Sequence, residues 1–169
     1  MMHKLNLNFI TLFFFNRSIK KFRGTWASLF TTLFLFILIH ILKIENFIIL
    51  IFFFVVLFYS FYAIKSCLKD FKDEDPQEIV IDEFLGQSIP IILYEVFHSN
   101  QSDSTTETLQ IYFWFFLLFR LFDGLKPFPI DYIDKNYKNT FGILFDDILA
   151  GFYVVITLVL FIVGKTFFF

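Results

Sequence analysis

Hydrophobic residues fall into five stretches separated by short polar breaks. The stretches are Trp26 to Leu42, Phe47 to Ile64, Phe84 to Phe97, Leu109 to Phe122 and Ile148 to Val163. A bilayer core is about 30 Å thick and takes about 20 helical residues, fewer where side chains at the ends reach for water. The pattern therefore predicts an all-α integral membrane bundle of about four to five spans. Lys43 to Asn46 reads as a tight hairpin between the first two. The third stretch carries Gly86, Gln87, Ser88 and Pro90 and is expected to be a kinked span or a re-entrant helix. Met1 to Phe15 is apolar but brief. The chain divides into an interfacial or cytoplasmic N-terminal arm, 1–23, and one membrane-embedded domain, 24–169. No small-residue cleavage site follows the first apolar run, so a cleavable signal peptide is not expected.

Basic residues set the orientation, because cytoplasmic loops are enriched in Lys and Arg. Lys4, Arg17, Lys20, Lys21 and Arg23 precede the first span, and Lys65, Lys69 and Lys72 follow the second. His98 to Thr108 contains neither Lys nor Arg and reads as an outer loop. Arg120, Lys126, Lys135 and Lys138 follow as the fourth span returns. Five crossings bring Asp82-Glu83, Arg120 to Lys126 and Asp146-Asp147 to the cytoplasmic face.

Composition agrees with membrane residence: 57% of the 169 residues are hydrophobic and 18% charged, against about 25% charged in soluble domains. Thirty phenylalanines read as coding bias that selects Phe where Leu or Val would serve. A net charge of −2 without a basic stripe argues against a nucleic-acid partner. The lone Cys67 forms no intrachain disulfide, and Asp73 stands where a cysteine phosphatase loop would need its arginine. Cys67 therefore reads as a plain helix residue, and His40, inside an apolar run, as a packed one. The pattern fixes no oligomeric state.

Charge near lipid is costly and tends to be functional or specifically paired. Each cluster also has a plainer reading. Asp82-Glu83 and Asp146-Asp147 open hydrophobic segments, where acids complement a helix dipole or cap free N–H groups. One acid would suffice for that, and the second points about 100° away. Arg120 and Asp123, three apart, suit an ion pair. Gly124 is expected to end the fourth helix, with Pro127 and Pro129 stiffening the exit. Lys126 would then snorkel at the surface. Ile130 to Tyr137 reads as a short amphipathic helix with Ile130, Ile133 and Tyr137 on one side, and Asp134 structural. Taken together, the groups suit one task. Carboxylates are hard ligands for Mg²⁺, which binds jointly to protein and substrate phosphate. Arg offers phosphate a two-pronged fork and Lys a point charge. A site at headgroup level implies a phosphorylated lipid.

Four stretches carry a family resemblance: Gly24-Thr25-Trp26-Ala27-Ser28-Leu29, Ile81-Asp82-Glu83-Phe84-Leu85-Gly86, Phe119-Arg120-Leu121-Phe122-Asp123-Gly124-Leu125-Lys126-Pro127-Phe128-Pro129-Ile130 and Gly142-Ile143-Leu144-Phe145-Asp146-Asp147-Ile148-Leu149-Ala150-Gly151. In order and approximate spacing the chain resembles phosphatidylglycerophosphatase A, a Mg²⁺-dependent lipid phosphatase of the bacterial inner membrane. It departs from that pattern at Arg23 (usually Pro), Ala27 (often Gly), Phe128 (Trp) and Asn139-Thr140, where a glycine-rich turn is usual. The resemblance implies hydrolysis of the terminal phosphomonoester of phosphatidylglycerophosphate at a cytoplasmic-face site. Asp82, Glu83, Asp123, Asp146 and Asp147 would hold Mg²⁺, with a general base among them. Arg120, Lys126 and Thr25 would bind the phosphorylated substrate. Asp123, Asp146, Asp147 and Arg120 would carry the chemistry, either through attacking water or through an aspartyl-phosphate. Two rival readings are another membrane phospholipid phosphotransferase and a small ion-translocating or scaffold protein. The Asp-Gly-Ala-Arg pattern of CDP-alcohol phosphotransferases is not matched, since Leu125-Lys126 follows Asp123-Gly124. An ion path would need acids in mid-span, whereas these lie at span edges.

Overall fold

The computed structural model describes residues 2–11, 22–71, 76, 78–98 and 104–168, with side chains to 164. Arg17, Lys20, Lys21, Lys72 and part of the expected outer loop lie outside these residues. Among the described residues the chain is helical with no strand. The helices are α1 (Met2–Ile10), α2 (Arg23–Phe36), α3 (Asn46–Cys67), α4 (Ile81–His98), α5 (Thr105–Leu125), α6 (Ile130–Asn136) and α7 (Thr140–Phe168). A π-helical turn, Ile37–Ile41, extends α2, and a 3₁₀ turn, Leu68–Asp70, extends α3. Four segments are long and apolar enough to cross a membrane: Arg23–Ile41, Asn46–Asp70, Thr105–Leu125 and Thr140–Gly164. The expected all-α membrane bundle is therefore observed, and the Lys43–Asn46 break falls as predicted, with Lys43 at φ 54°.

The outer faces are oily and the inner faces are small and polar. On α2, Ala27, Ser28, Thr31, Thr32, Leu35 and Phe36 are buried at helical spacing, while Trp26, Phe30, Leu33 and Ile37 face outward. Lipid solvates Phe and Leu as well as a protein core does, so association in a membrane rests on close packing of small residues and on hydrogen bonds. Ser28, Thr31 and Thr32 donate their hydroxyls to the carbonyls four residues back, at 2.8–2.9 Å. That satisfies them without exposing the backbone.

The third stretch, α4, is the hub. It is one continuous helix of 18 residues with Pro90 inside it, about 27 Å long at 1.5 Å per residue, and it is not one of the four segments apolar enough to cross by themselves. Its unbroken run from Ile81 to Ile92 is buried apart from Glu83. Gly86, Gln87, Ser88 and Pro90 are core-facing residues that admit close neighbours, not a break in the element. A methyl at position 86 would run into the Asp147 carbonyl and the Phe119 ring, and one at position 151 would run into the Gly86 carbonyl. Helices α4 and α7 therefore touch backbone to backbone through two glycines.

At the far end of the bundle, His40 Nε2 lies 3.2 Å from Glu95 Oε1, and Tyr112 donates to the same oxygen at 2.9 Å. His40 is thus packed, as expected, and ties α2, α4 and α5 together. Helix α1 docks on α3, where Asn6 donates to Ser66 Oγ at 2.8 Å and accepts from Tyr59 at 2.7 Å. Cys67 is buried at the end of α3.

Candidate active site

Four helices deliver their charged residues to one cleft of about 530 Å³. The start of α2 contributes Arg23, Gly24 and Thr25, and the first turn of α4 contributes Asp82 and Glu83. The end of α5 supplies Arg120 and Asp123, with Lys126 just beyond it, and α7 supplies Asp146 and Asp147. Every residue proposed from the sequence for catalysis, substrate binding or metal binding lines this cleft.

Three local expectations need correction. Helix α7 begins at Thr140, well before Asp146, so Asp146-Asp147 do not cap it. Asn139 does, its Oδ1 accepting from the N–H groups of Phe141 and Gly142 at 3.0 and 3.1 Å. The early start follows from Ile143 and Leu144, which are buried and extend the apolar face backwards. Second, Gly124 does not end α5. The helix runs through Leu125, and Lys126 takes the left-handed capping position at φ 44°, its N–H bonded to Phe122 O at 2.8 Å. Pro127 disfavours helical geometry at the residue before it, so the turn falls on Lys126. A non-glycine residue held there costs about 1–3 kcal/mol. Third, Tyr137 does not continue the inner face of the short helix. Ile130 is buried, but Tyr137 is exposed and lies past the end of α6.

Lys126 does not snorkel into water. Its Nζ lies 2.9 Å from Asp146 Oδ2 and 3.0 Å from Asp134 Oδ1. Burial alone would lower its pKa, but the two carboxylates outweigh burial and raise it. Lys126 is thus a fixed cation through the working pH range. Asp134 also accepts from Lys138 at 3.1 Å. Burial pushes its carboxyl up, and the two lysines more than reverse that, holding it below the usual range. Asp134 was expected to be structural, and the contact with Lys126 makes it a member of the site.

Arg120 Nη1 contacts Asp123 Oδ2 at 2.8 Å, so the plain ion pair is real. The same nitrogen lies 3.5 Å from Ser28 Oγ, a partner the sequence did not single out. Arg23 pairs with Glu78 at 3.3 Å on the cleft rim.

The remaining acids are different. Among the described residues Asp82, Glu83 and Asp147 form no ion pair, yet each offers a carboxylate oxygen within 4.8 Å of the others. Asp82 is 9% exposed and Asp147 5%, and Glu83 Oε2 is buried with no hydrogen-bond partner. Three crowded, acceptor-only carboxylates match the donor chemistry of a hard divalent cation. Gly24 completes the wall: a methyl there would overlap Glu83 Oε1 and press on Arg120 Nη1. Helix α2 begins at this point without a side-chain cap, and free N–H groups at a helix start favour anions.

Comparison with known proteins places this arrangement. The family model described as phosphatidylglycerophosphatase A matches residues 9–162. The Haemophilus influenzae protein named phosphatidylglycerophosphatase A is 38% identical over 133 residues, covering 79% of this chain and 74% of that protein. The Escherichia coli protein of the same name is 33% identical over 90 residues, covering 53% of this chain and 46% of that one. A Bacteroides thetaiotaomicron protein with the provisional name phosphatidylinositol-3-phosphatase is 33% identical over 84 residues, covering 47% and 45%. No solved structure matches the chain. With four membrane-length apolar helices, and a family match over nearly its whole length that includes the entire cleft, the chain belongs to the phosphatidylglycerophosphatase A family of membrane phosphatases.

Proposed function

We propose that the protein hydrolyses the terminal phosphomonoester of phosphatidylglycerophosphate to phosphatidylglycerol and phosphate, as a Mg²⁺-dependent step of phospholipid biosynthesis. The observation that carries this reading is the meeting, in one cleft, of three carboxylates without cation partners, Arg120 and the uncapped start of α2. The names of the Haemophilus and Escherichia relatives support the substrate. The basic flanks of the spans support a cytoplasmic-face site in a bacterial inner membrane.

Asp82, Glu83 and Asp147 would hold the cation, with Asp123 and Asp146 at its margin. When bound, Mg²⁺ neutralises charge on phosphoryl oxygens and lowers the pKa of a nearby water. Phosphoryl transfer needs little more from a protein than positioning and electrostatic stabilisation. Arg120 would present its fork to the phosphoryl oxygens, with Asp123 fixing the guanidinium from one side. Thr25 and the first N–H groups of α2 would bind the same group, and Lys126 would add a point charge held in place by Asp146 and Asp134. A water attacks phosphorus, a cleft carboxylate accepts its proton, and the P–O bond to the glycerol breaks with protonation of the leaving oxygen. In the aspartyl-phosphate route an Asp oxygen displaces the glycerol oxygen at phosphorus and water then cleaves the new P–O bond; borohydride reduction of protein quenched during turnover would trap that acyl phosphate, and direct attack by water would leave nothing to trap.

The Bacteroides relative raises a second headgroup. Phosphate release from phosphatidylglycerophosphate and from phosphatidylinositol 3-phosphate, by detergent-purified protein, separates the two. The proposal expects the first to be cleaved well ahead of the second, and the reverse order would reassign the headgroup.

A further inference from the structure

Gln87 follows Glu83 by four residues on α4, one turn deeper along the same helical stripe. It is fully buried, and among the described residues neither its Nε2 nor its Oε1 has a hydrogen-bond partner. The buried hydroxyls of the bundle are satisfied on their own helices: Ser88 donates to Phe84 O at 2.6 Å, Thr31 to Ala27 O at 2.8 Å and Ser28 to Gly24 O at 2.9 Å. Gln87 is not. An unpaired buried polar group costs about 1–3 kcal/mol, whereas an apolar group of the same shape there would cost little or nothing. The one other orphaned side-chain atom among the described residues is Glu83 Oε2. The two orphans thus sit on adjacent turns of one helix. Side chains so placed have Cβ atoms about 5–6 Å apart, a separation that one buried water can bridge, since it needs two or more polar partners.

We propose that Gln87 is a positioning residue for Glu83, its carboxamide holding the Glu83 carboxylate through a buried water in the orientation that binds the divalent cation. Glu83 is then fixed from both ends. Oε1 lies against the start of α2, where Gly24 leaves room for it beside Arg120. Oε2, buried and without a partner, is the oxygen left for the water. Carboxylate ligands are held by hydrogen-bonding groups behind them, and loss of such a group weakens metal affinity or activity about 10–100-fold. This inference rests on the metal reading of the cleft given above.

The test is Mn²⁺ binding followed by electron paramagnetic resonance, on detergent-purified full-length protein without substrate, for wild type, Gln87→Met, Gln87→Asn and Asp147→Asn. Thermal unfolding of each is measured alongside. The expected result is Mn²⁺ binding by wild type, its loss in Asp147→Asn, and a dissociation constant raised about 10–100-fold in Gln87→Met with no loss of thermal stability. Gln87→Asn, which keeps an amide, falls between wild type and Gln87→Met. Unchanged Mn²⁺ affinity in folded Gln87→Met would overturn the role of Gln87 while leaving the metal reading standing. Should Gln87→Met fail to fold, unchanged affinity in Gln87→Asn overturns it equally. A folded wild type that binds no Mn²⁺ overturns the metal reading and this inference together.

Discussion

Gly24 and Glu83 show how tightly single side chains constrain the site. The space a methyl at position 24 would need is held by Glu83 Oε1, the free end of a side chain, not by backbone. Gly24→Ala is therefore expected to leave the fold intact and to displace the carboxylate, lowering phosphatase activity by about 10–100-fold. Activity within twofold of wild type would show that Glu83 does not need its present position. Asp123→Asn keeps the size of the side chain but removes the charge that fixes Arg120. Turnover should fall at least about 100-fold, the scale on which one electrostatic group acts in such sites, with unchanged expression in the membrane. Asp82, Glu83, Asp123, Asp146, Asp147, Arg120 and Lys126 were all legible in the sequence, because charge beside lipid is conspicuous. Asp134 was not. It sits among the solvent-facing ion pairs of α6 and shows its part only when α5 turns at Lys126 and brings Nζ to it. Gln87 was legible only as an interruption of a hydrophobic run, since nothing in a sequence separates a buried amide from a break.

Helix ends and helix contacts are the next scale. The apolar stretches placed α2, α3, α5 and α7 to within a few residues at most ends. The pattern failed where another force sets the boundary: α7 starts early because Asn139 caps it, and α5 ends late because Pro127 moves the turn onto Lys126. The third stretch read as the weakest because lipid-facing hydrophobicity was the yardstick. Helix α4 is surrounded by other helices, and small and polar residues are what such a position takes. The glycines give a sharp test of this packing. Gly151→Ala puts a methyl into the Gly86 carbonyl and should cost about 1–3 kcal/mol. Gly124 has nothing within 4 Å of its added methyl and lies inside α5, so Gly124→Ala should gain about 0.5–1 kcal/mol. Thermal unfolding in detergent, comparing the two variants, would contradict the packing scheme if it placed them in the opposite order.

For the whole molecule, the cleft gathers at one end of the helices and the His40–Glu95–Tyr112 contact lies at the other. The proposed orientation puts the first end in the cytoplasm. Cys67 is the one cysteine of the chain and is buried, which leaves a quiet background for labelling. Lys135→Cys, on α6 beside the cleft, should react with a membrane-impermeant maleimide in inverted vesicles and not in intact cells or spheroplasts. Thr106→Cys, at the start of α5, should behave in the opposite way, and the reverse pattern would put the site outside. The most direct measurement is phosphate release from phosphatidylglycerophosphate by detergent-purified protein, with Mg²⁺ and with EDTA, alongside Asp147→Asn. Release that requires Mg²⁺, stops in EDTA and vanishes in the folded variant is the predicted result. Release that persists in EDTA or in Asp147→Asn, or its absence from folded wild type with Mg²⁺, would contradict a metal-dependent carboxylate site for this lipid.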